Sequence, residues 1–123
     1  MDGMKSTPDE MNGMKLTPDD QAWLKAYRQA LLTRYPGMIV RLAIYGSKAR
    51  GDAHADSDLD VILIVTEEAA ALKRAMRRIG YGLAATSDTV PSIMAYTLEE
   101  WRYRERIGSP FHRAVERDAV SVL

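Results

Sequence analysis

The segment LDVILIV, Leu59 to Val65, limits the fold of this chain more than any other, because no residue from Val61 to Val65 is polar. A strand without a polar face has to be covered on both sides, which calls for a sheet with helices packed against it and not for a half-exposed ribbon. The approach to this strand is very different in character. It reads YGSKARGDAHADSD, with a Gly-Ser pair at Gly46 and Ser47, a short helical turn expected at Lys48 to Arg50, and a loop from Gly51 to Ser57. Asp56, Asp58 and Asp60 then arrive at alternate positions at the mouth of the apolar run.

The flanking sequence supplies the cover. Leu24, Tyr27, Leu31 and Tyr35 recur at helical spacing after Thr17-Pro18-Asp19-Asp20, where Thr17 serves as N-cap and Pro18 opens the first turn. Pro36-Gly37 ends that helix. MIVRLAIY, Met38 to Tyr45, reads as a first strand with Val40, Leu42 and Ile44 on one face. Beyond Val65, Thr66 is expected to cap a helix whose apolar face carries Leu72, Met76, Ile79 and Leu83, weakened by Gly80 and Gly82. A third strand is expected from Val90 to Tyr96, then a helix capped by the Thr97-to-Glu100 box, a last helix from Ser109-Pro110, and a terminal edge strand in AVSVL. The order αβ(α)βαβααβ describes an α/β (α+β) domain built around one sheet.

At 123 residues the chain fits one domain, and with 46% apolar and 28% charged residues it belongs with soluble globular proteins. The first twenty residues hold a near repeat, MDGMKSTPDE followed by MNGMKLTPDD, too short for a repeat architecture. Residues 1–16 are read as a flexible tail and 17–123 as the domain. Seventeen basic residues balance seventeen acidic ones, which argues against general nucleic-acid binding. The absence of cysteine excludes disulfides, thiolate metal sites and cysteine nucleophiles. With no apolar run approaching a membrane span and no signal-peptide core, the expected location is cytoplasmic.

Three kinds of chemistry compete for the Gly-Ser-Asp stretch. A phosphate loop of the GxxxxGK[ST] type has its two glycines in Gly46 and Gly51, but Asp52 and Ala53 stand where Lys and Ser/Thr are required. A calcium loop would use Asp56, Asp58, Asp60 and Glu67, but its sixth position is Val61, within an apolar strand, where a sharply turning glycine belongs. Metal-dependent nucleotidyl transfer meets neither objection. Asp58 and Asp60, one residue apart, face the same way and together suit a hard divalent cation, while Gly46 and Ser47 allow backbone and a hydroxyl to approach phosphate.

Gly46-Ser47, ten residues, then Asp58-Leu59-Asp60, with Arg50-Gly51 and Ser57 between, resembles the minimal nucleotidyltransferase (MNT) branch of the DNA polymerase β-like superfamily. The order of elements from Leu16 to Leu123 agrees with it. The resemblance implies the nucleotidyltransferase fold, a mixed central β-sheet flanked by α-helices. It further implies nucleotide binding at Gly46, Ser47 and Arg50, and catalysis and metal binding at Asp58 and Asp60 with Mg2+ or Mn2+. ATP or another nucleoside triphosphate is the implied substrate, and a HEPN-type helical protein the implied partner, in a toxin-antitoxin pair where the MNT protein adenylylates a hydroxyl of the toxin. Catalytic family members add a third carboxylate on the next strand. Here that strand reads TVPSIMAY, with Ser92 nearest the expected place and Asp88 in the preceding loop. A binding module that neutralises its partner by complex formation is therefore the alternative.

Other residues have plainer readings. His54 is an exposed loop histidine, and Arg50 either contacts phosphate or braces the turn through Asp52 or Asp56. The Lys73-to-Arg78 cluster is a solvated helix face. Trp23 and Trp101 are core or rim anchors.

Overall fold

The computed structural model describes residues 14–53 and 57–123. Four strands, β1 (Ile39–Tyr45), β2 (Leu59–Val65), β3 (Pro91–Thr97) and β4 (Val120–Ser121), form one mixed sheet in the order β3-β2-β1-β4. The pair β1·β2 is antiparallel, β2·β3 parallel and β1·β4 antiparallel. The helices are α1 (Pro18–Arg34), α2 (Gly46–Arg50), α3 (Lys73–Ala84), α4 (Leu98–Arg106) and α5 (Pro110–Asp118), with a 3-10 segment at Glu67–Leu72. This is the mixed sheet flanked by helices that the sequence implied.

The apolar run of β2 is covered on both faces, as its composition demands. Leu59, Val61, Leu63 and Val65 join Leu42, Ile44 and Ile93 in a core closed by Trp23, Leu24, Tyr27 and Leu31 of α1 and Met76 of α3. Ile62 and Ile64 face the other way with Ala43, against Trp101 of α4 and Val115 of α5. Both tryptophans are buried.

The helix starts follow their capping chemistry. Asp20 N–H donates to Thr17 Oγ1 and Thr17 N–H to Asp20 Oδ2, both at 3.0 Å, and Thr97 and Glu100 form the same reciprocal box for α4. Ser109 Oγ accepts from His112 N–H at the start of α5.

Three local expectations need correction. Val40 does not share the buried face of Leu42 and Ile44, because a register shift between Ile39 and Arg41 leaves it 43% exposed. Thr66 makes no side-chain cap; the chain first runs through the 3-10 segment, and α3 begins at Lys73. Leu83 is 37% exposed near the end of α3.

Gly80, expected only to weaken its helix, is required for packing. A Cβ there would lie 2.5 Å from Ile93 Cδ1 and 3.0 Å from the Tyr27 ring. The close approach also lets Trp23 Nε1 donate to Gly80 O at 2.9 Å and Tyr27 Oη to Met76 O at 2.8 Å.

Of the expected tail, residues 1–13 lie outside the described residues. Met14 and Leu16 pack partly buried against the core, and Lys15 N–H donates to Lys48 O at 2.9 Å.

The geometry at Gly80 predicts that Gly80→Ala destabilises the fold despite the better helix propensity of alanine. Overpacking of this kind costs about 1–3 kcal/mol. Urea unfolding followed by circular dichroism checks this, and a midpoint at or above that of the natural protein would remove the packing role.

Candidate nucleotide and metal site

β1 ends at Tyr45, where the chain turns abruptly into α2. Gly46 makes the turn with φ at +80°, and Gly51, also left-handed at φ +88°, closes the helix by donating its N–H to Ser47 O at 2.9 Å. The first N–H groups of a helix lack intrahelical acceptors, and no side chain caps those of α2. The turn thus carries backbone donors and the Ser47 hydroxyl at the end of the sheet.

β2 starts at the same end. In the β1·β2 register Asp60 stands opposite Tyr45, and in the β2·β3 register it stands opposite Ser92. Gly46 has no side chain because Asp60 fills the space: a Cβ there would collide with Asp60 Oδ2 and lie 3.2 Å from its Cγ. The turn and the aspartate strand, separated by thirteen residues of loop and short helix, are therefore in direct contact. Asp58 is exposed just ahead of β2, outside the strand, and is near enough to Asp60 for its charge to act on that carboxyl.

The electrostatics of this end are unbalanced. Burial, and then the charge of Asp58, push the Asp60 carboxyl above its usual range, opposed only by Arg50. Among the described residues, neither carboxylate has a hydrogen bond or an ion pair. Two neighbouring carboxylates that no lysine or arginine pairs directly, with Arg50 acting on Asp60 only at a distance, fit the demands of a hard divalent ion, which would compensate them together. Among the described residues no cluster of three or more His, Cys, Asp or Glu side chains adds to the pair. Burial, and then Asp60, also push the Tyr45 phenol up to about 12, so it stays protonated at neutral pH.

Arg50 braces the loop. It donates to Asp52 at 3.2 Å and to Asp118 at 2.8 Å, joining the end of α2 to the end of α5. His54 and Asp56 lie outside the described residues. Ser92 occupies the register position beside Asp60, and Asp88 is exposed in the preceding loop, its N–H donating to Asp19 Oδ2.

Sequence reasoning missed a buried ion pair beside this turn. Lys48, one residue beyond Ser47, is 3% exposed and donates to Asp20 Oδ2 at 2.6 Å. Asp20 is an acid in the first turn of α1, and nothing in the pattern of either segment pairs residues 28 positions apart.

The model of a protein family described as the nucleotidyltransferase domain matches residues 24–109, spanning the turn, the Asp58/Asp60 pair and β3. The chain belongs to this nucleotidyltransferase domain family of the polymerase β-like superfamily. Comparison with curated proteins gives no match.

The strain at Gly46 and the charge at Asp60 predict stability changes of opposite sign. Gly46→Ala is expected to destabilise by about 1–3 kcal/mol, since a side chain at this φ is strained even before it meets Asp60. Asp60→Asn is expected to stabilise the metal-free protein at neutral pH. A carboxyl whose pKa is raised on folding costs stability while ionised, so the advantage of asparagine should shrink as pH falls and the natural side chain takes up its proton. Thermal melts in chelator from neutral to acid pH test this; an Asp60→Asn protein less stable at neutral pH would refute it.

Proposed function

We propose that this protein is a metal-dependent nucleotidyltransferase that moves AMP from ATP to a hydroxyl of a partner protein. The observation that carries the reading is the contact between the Gly46 turn and the Asp60 carboxylate, which brings the glycine-serine turn beside the aspartate-bearing strand. Membership of the nucleotidyltransferase domain family supports it.

In this reading Gly46 and Ser47 bind the phosphates through backbone N–H groups and the serine hydroxyl. Arg50, held at the rim by Asp118, adds positive charge to that side of the site and shapes the loop. Asp58 and Asp60 hold magnesium or manganese, which when bound supplies charge compensation for the triphosphate and acidifies the acceptor hydroxyl. The acceptor oxygen bonds to the α-phosphorus of ATP, the bond from that phosphorus to the bridging oxygen of the β-phosphate breaks, and pyrophosphate leaves. The hydroxyl proton passes to a base. Tyr45 is unsuited to that task, because its phenol remains protonated.

The partner is proposed to be a HEPN-type helical protein, with the chain as the MNT antitoxin of a toxin-antitoxin pair in the cytoplasm. The similarity of Gly46-Ser47 and Asp58-Leu59-Asp60 to the MNT pattern supports this. A second reading, a nucleotide-binding module that neutralises its partner by contact, is favoured by one observation: the strand position beside Asp60 is Ser92 and not an acid.

Incubation with α-labelled ATP, magnesium and the protein encoded beside it tests the first reading. Label on the partner, lost in Asp58→Asn and Asp60→Asn, is the expected result; a tight complex without label supports the binding module instead. Removal of magnesium should abolish transfer. If the position beside Asp60 limits catalysis, Ser92→Asp should raise the initial rate at saturating ATP by roughly the 10²–10⁴-fold range of a general base. A natural rate that is already high and falls with the substitution would overturn that idea.

A further inference from the structure

Lysine beside a glycine-serine turn invites assignment as a phosphate ligand, but Lys48 is committed elsewhere. Its ammonium is 3% exposed, and the carboxylate it meets, Asp20, is 1% exposed. Both oxygens of Asp20 are engaged: Oδ2 accepts from Lys48 Nζ at 2.6 Å and from Thr17 N–H at 3.0 Å, while Oδ1 accepts from Thr89 Oγ1 at 3.0 Å. The network unites three segments distant in sequence: the N-terminal turn of α1, the phosphate turn, and the entry to β3.

One arm ends beside the candidate site in sequence, and the other reaches it through a backbone hydrogen bond. Lys48 follows Ser47. Thr89 precedes Val90, whose carbonyl accepts from Leu59 N–H at 2.9 Å, and Leu59 lies between Asp58 and Asp60. Lys48 O also accepts from Lys15 N–H, so the backbone at this position is held as well as the side chain. A buried pair of this kind is costly to desolvate and adds little net stability over an apolar pair, whereas the loss of one partner strands a buried charge.

We propose that the Asp20–Lys48–Thr89 network fixes the phosphate turn relative to the aspartate-bearing strand, with Lys48 and Asp20 as positioning residues that do not touch the nucleotide. The inference rests on the nucleotide-binding reading above. It has a consequence that a phosphate ligand would not share. Neutralising Asp20 removes a negative charge near the bound triphosphate, which by Coulomb's law alone favours nucleotide binding. A positioning role requires the opposite sign.

The test compares the natural protein with Asp20→Asn, Lys48→Met and the double variant, at a temperature where circular dichroism shows each to be folded. Magnesium-ATP affinity is measured by calorimetry and amide hydrogen exchange by mass spectrometry. The network predicts affinity weakened about tenfold or more in both single variants. The double variant should be no weaker than the worse single one, as expected for residues that act as a unit. Exchange should accelerate in Gly46 to Gly51 and around Thr89 more than in β2. Tighter binding in Asp20→Asn with weaker binding in Lys48→Met would make Lys48 a phosphate ligand and overturn the proposal. So would unchanged affinity in folded variants, or exchange in the turn no faster than before. If the natural protein binds no magnesium-ATP, the functional reading fails, and the exchange data still decide whether the network fixes the turn.

Discussion

A central strand that is apolar on both faces governs this molecule. β2 has β1 and β3 on its two sides and buried side chains above and below, so neither sheet face can be left to solvent. One face takes α1 and α3, the other α4 and α5, and the connections that deliver these helices set the order of the whole chain. The same constraint determines where chemistry can occur. Charge is not tolerated along the interior of such a strand, but its first residues lie at the sheet margin, where a carboxylate keeps contact with water. Asp60 occupies that margin, half-buried, with Asp58 outside it. Asp60 is thereby held on the central strand, with Asp58 exposed just ahead of it.

Charges near the turn are divided between structure and site. Lys48 is spent on Asp20, and Arg50 on Asp52 and Asp118. Among the described residues, Asp58 and Asp60 have no hydrogen bond or ion pair, and the charge of Asp58 raises the proton affinity of Asp60 against the opposing charge of Arg50. A fold that neutralises its cations internally and leaves two carboxylates together is destabilised locally in the absence of a ligand. Such strain is common where an ion is to be bound, because the same electrostatic cost becomes attraction once positive charge arrives. That both Lys48 and Arg50 of one five-residue helix pair with carboxylates of the protein shows that proximity to Ser47 in sequence does not by itself assign a phosphate contact.

The regular part of the fold could be read from the sequence because it rests on local chemistry. Thr17 with Asp20 and Thr97 with Glu100 are reciprocal caps three residues apart, and the strands announced themselves by unbroken or alternating apolar residues. The features that escaped are those decided between segments. Val40 fits the alternation of β1, yet a register shift at Arg41 turns it out, and such shifts depend on the partner strand. Gly80 looks like a defect in α3 until the Tyr27 ring and Ile93 are placed against it. Within the site, Gly46, Ser47, Asp58 and Asp60 were readable as a spaced motif. Lys48 and Asp20 were not, since a buried ion pair over 28 positions leaves no periodic trace.

The row Tyr45, Asp60, Ser92 across the sheet sharpens what the chemistry requires. A nucleotidyl transfer needs a group that receives the acceptor's proton, and the two neighbours of Asp60 are poorly suited: the phenol is held protonated by burial and by Asp60 itself, and a serine hydroxyl is a weak base. Aspartate at the Ser92 position would place a third negative charge beside two that already repel, on an edge strand with no described cation opposite. Serine at this position spares the ligand-free fold that repulsion, and under the function proposed above it leaves the acceptor's proton without a carboxylate to receive it. On that reading the balance between those two effects separates an enzyme from a binding module on this scaffold.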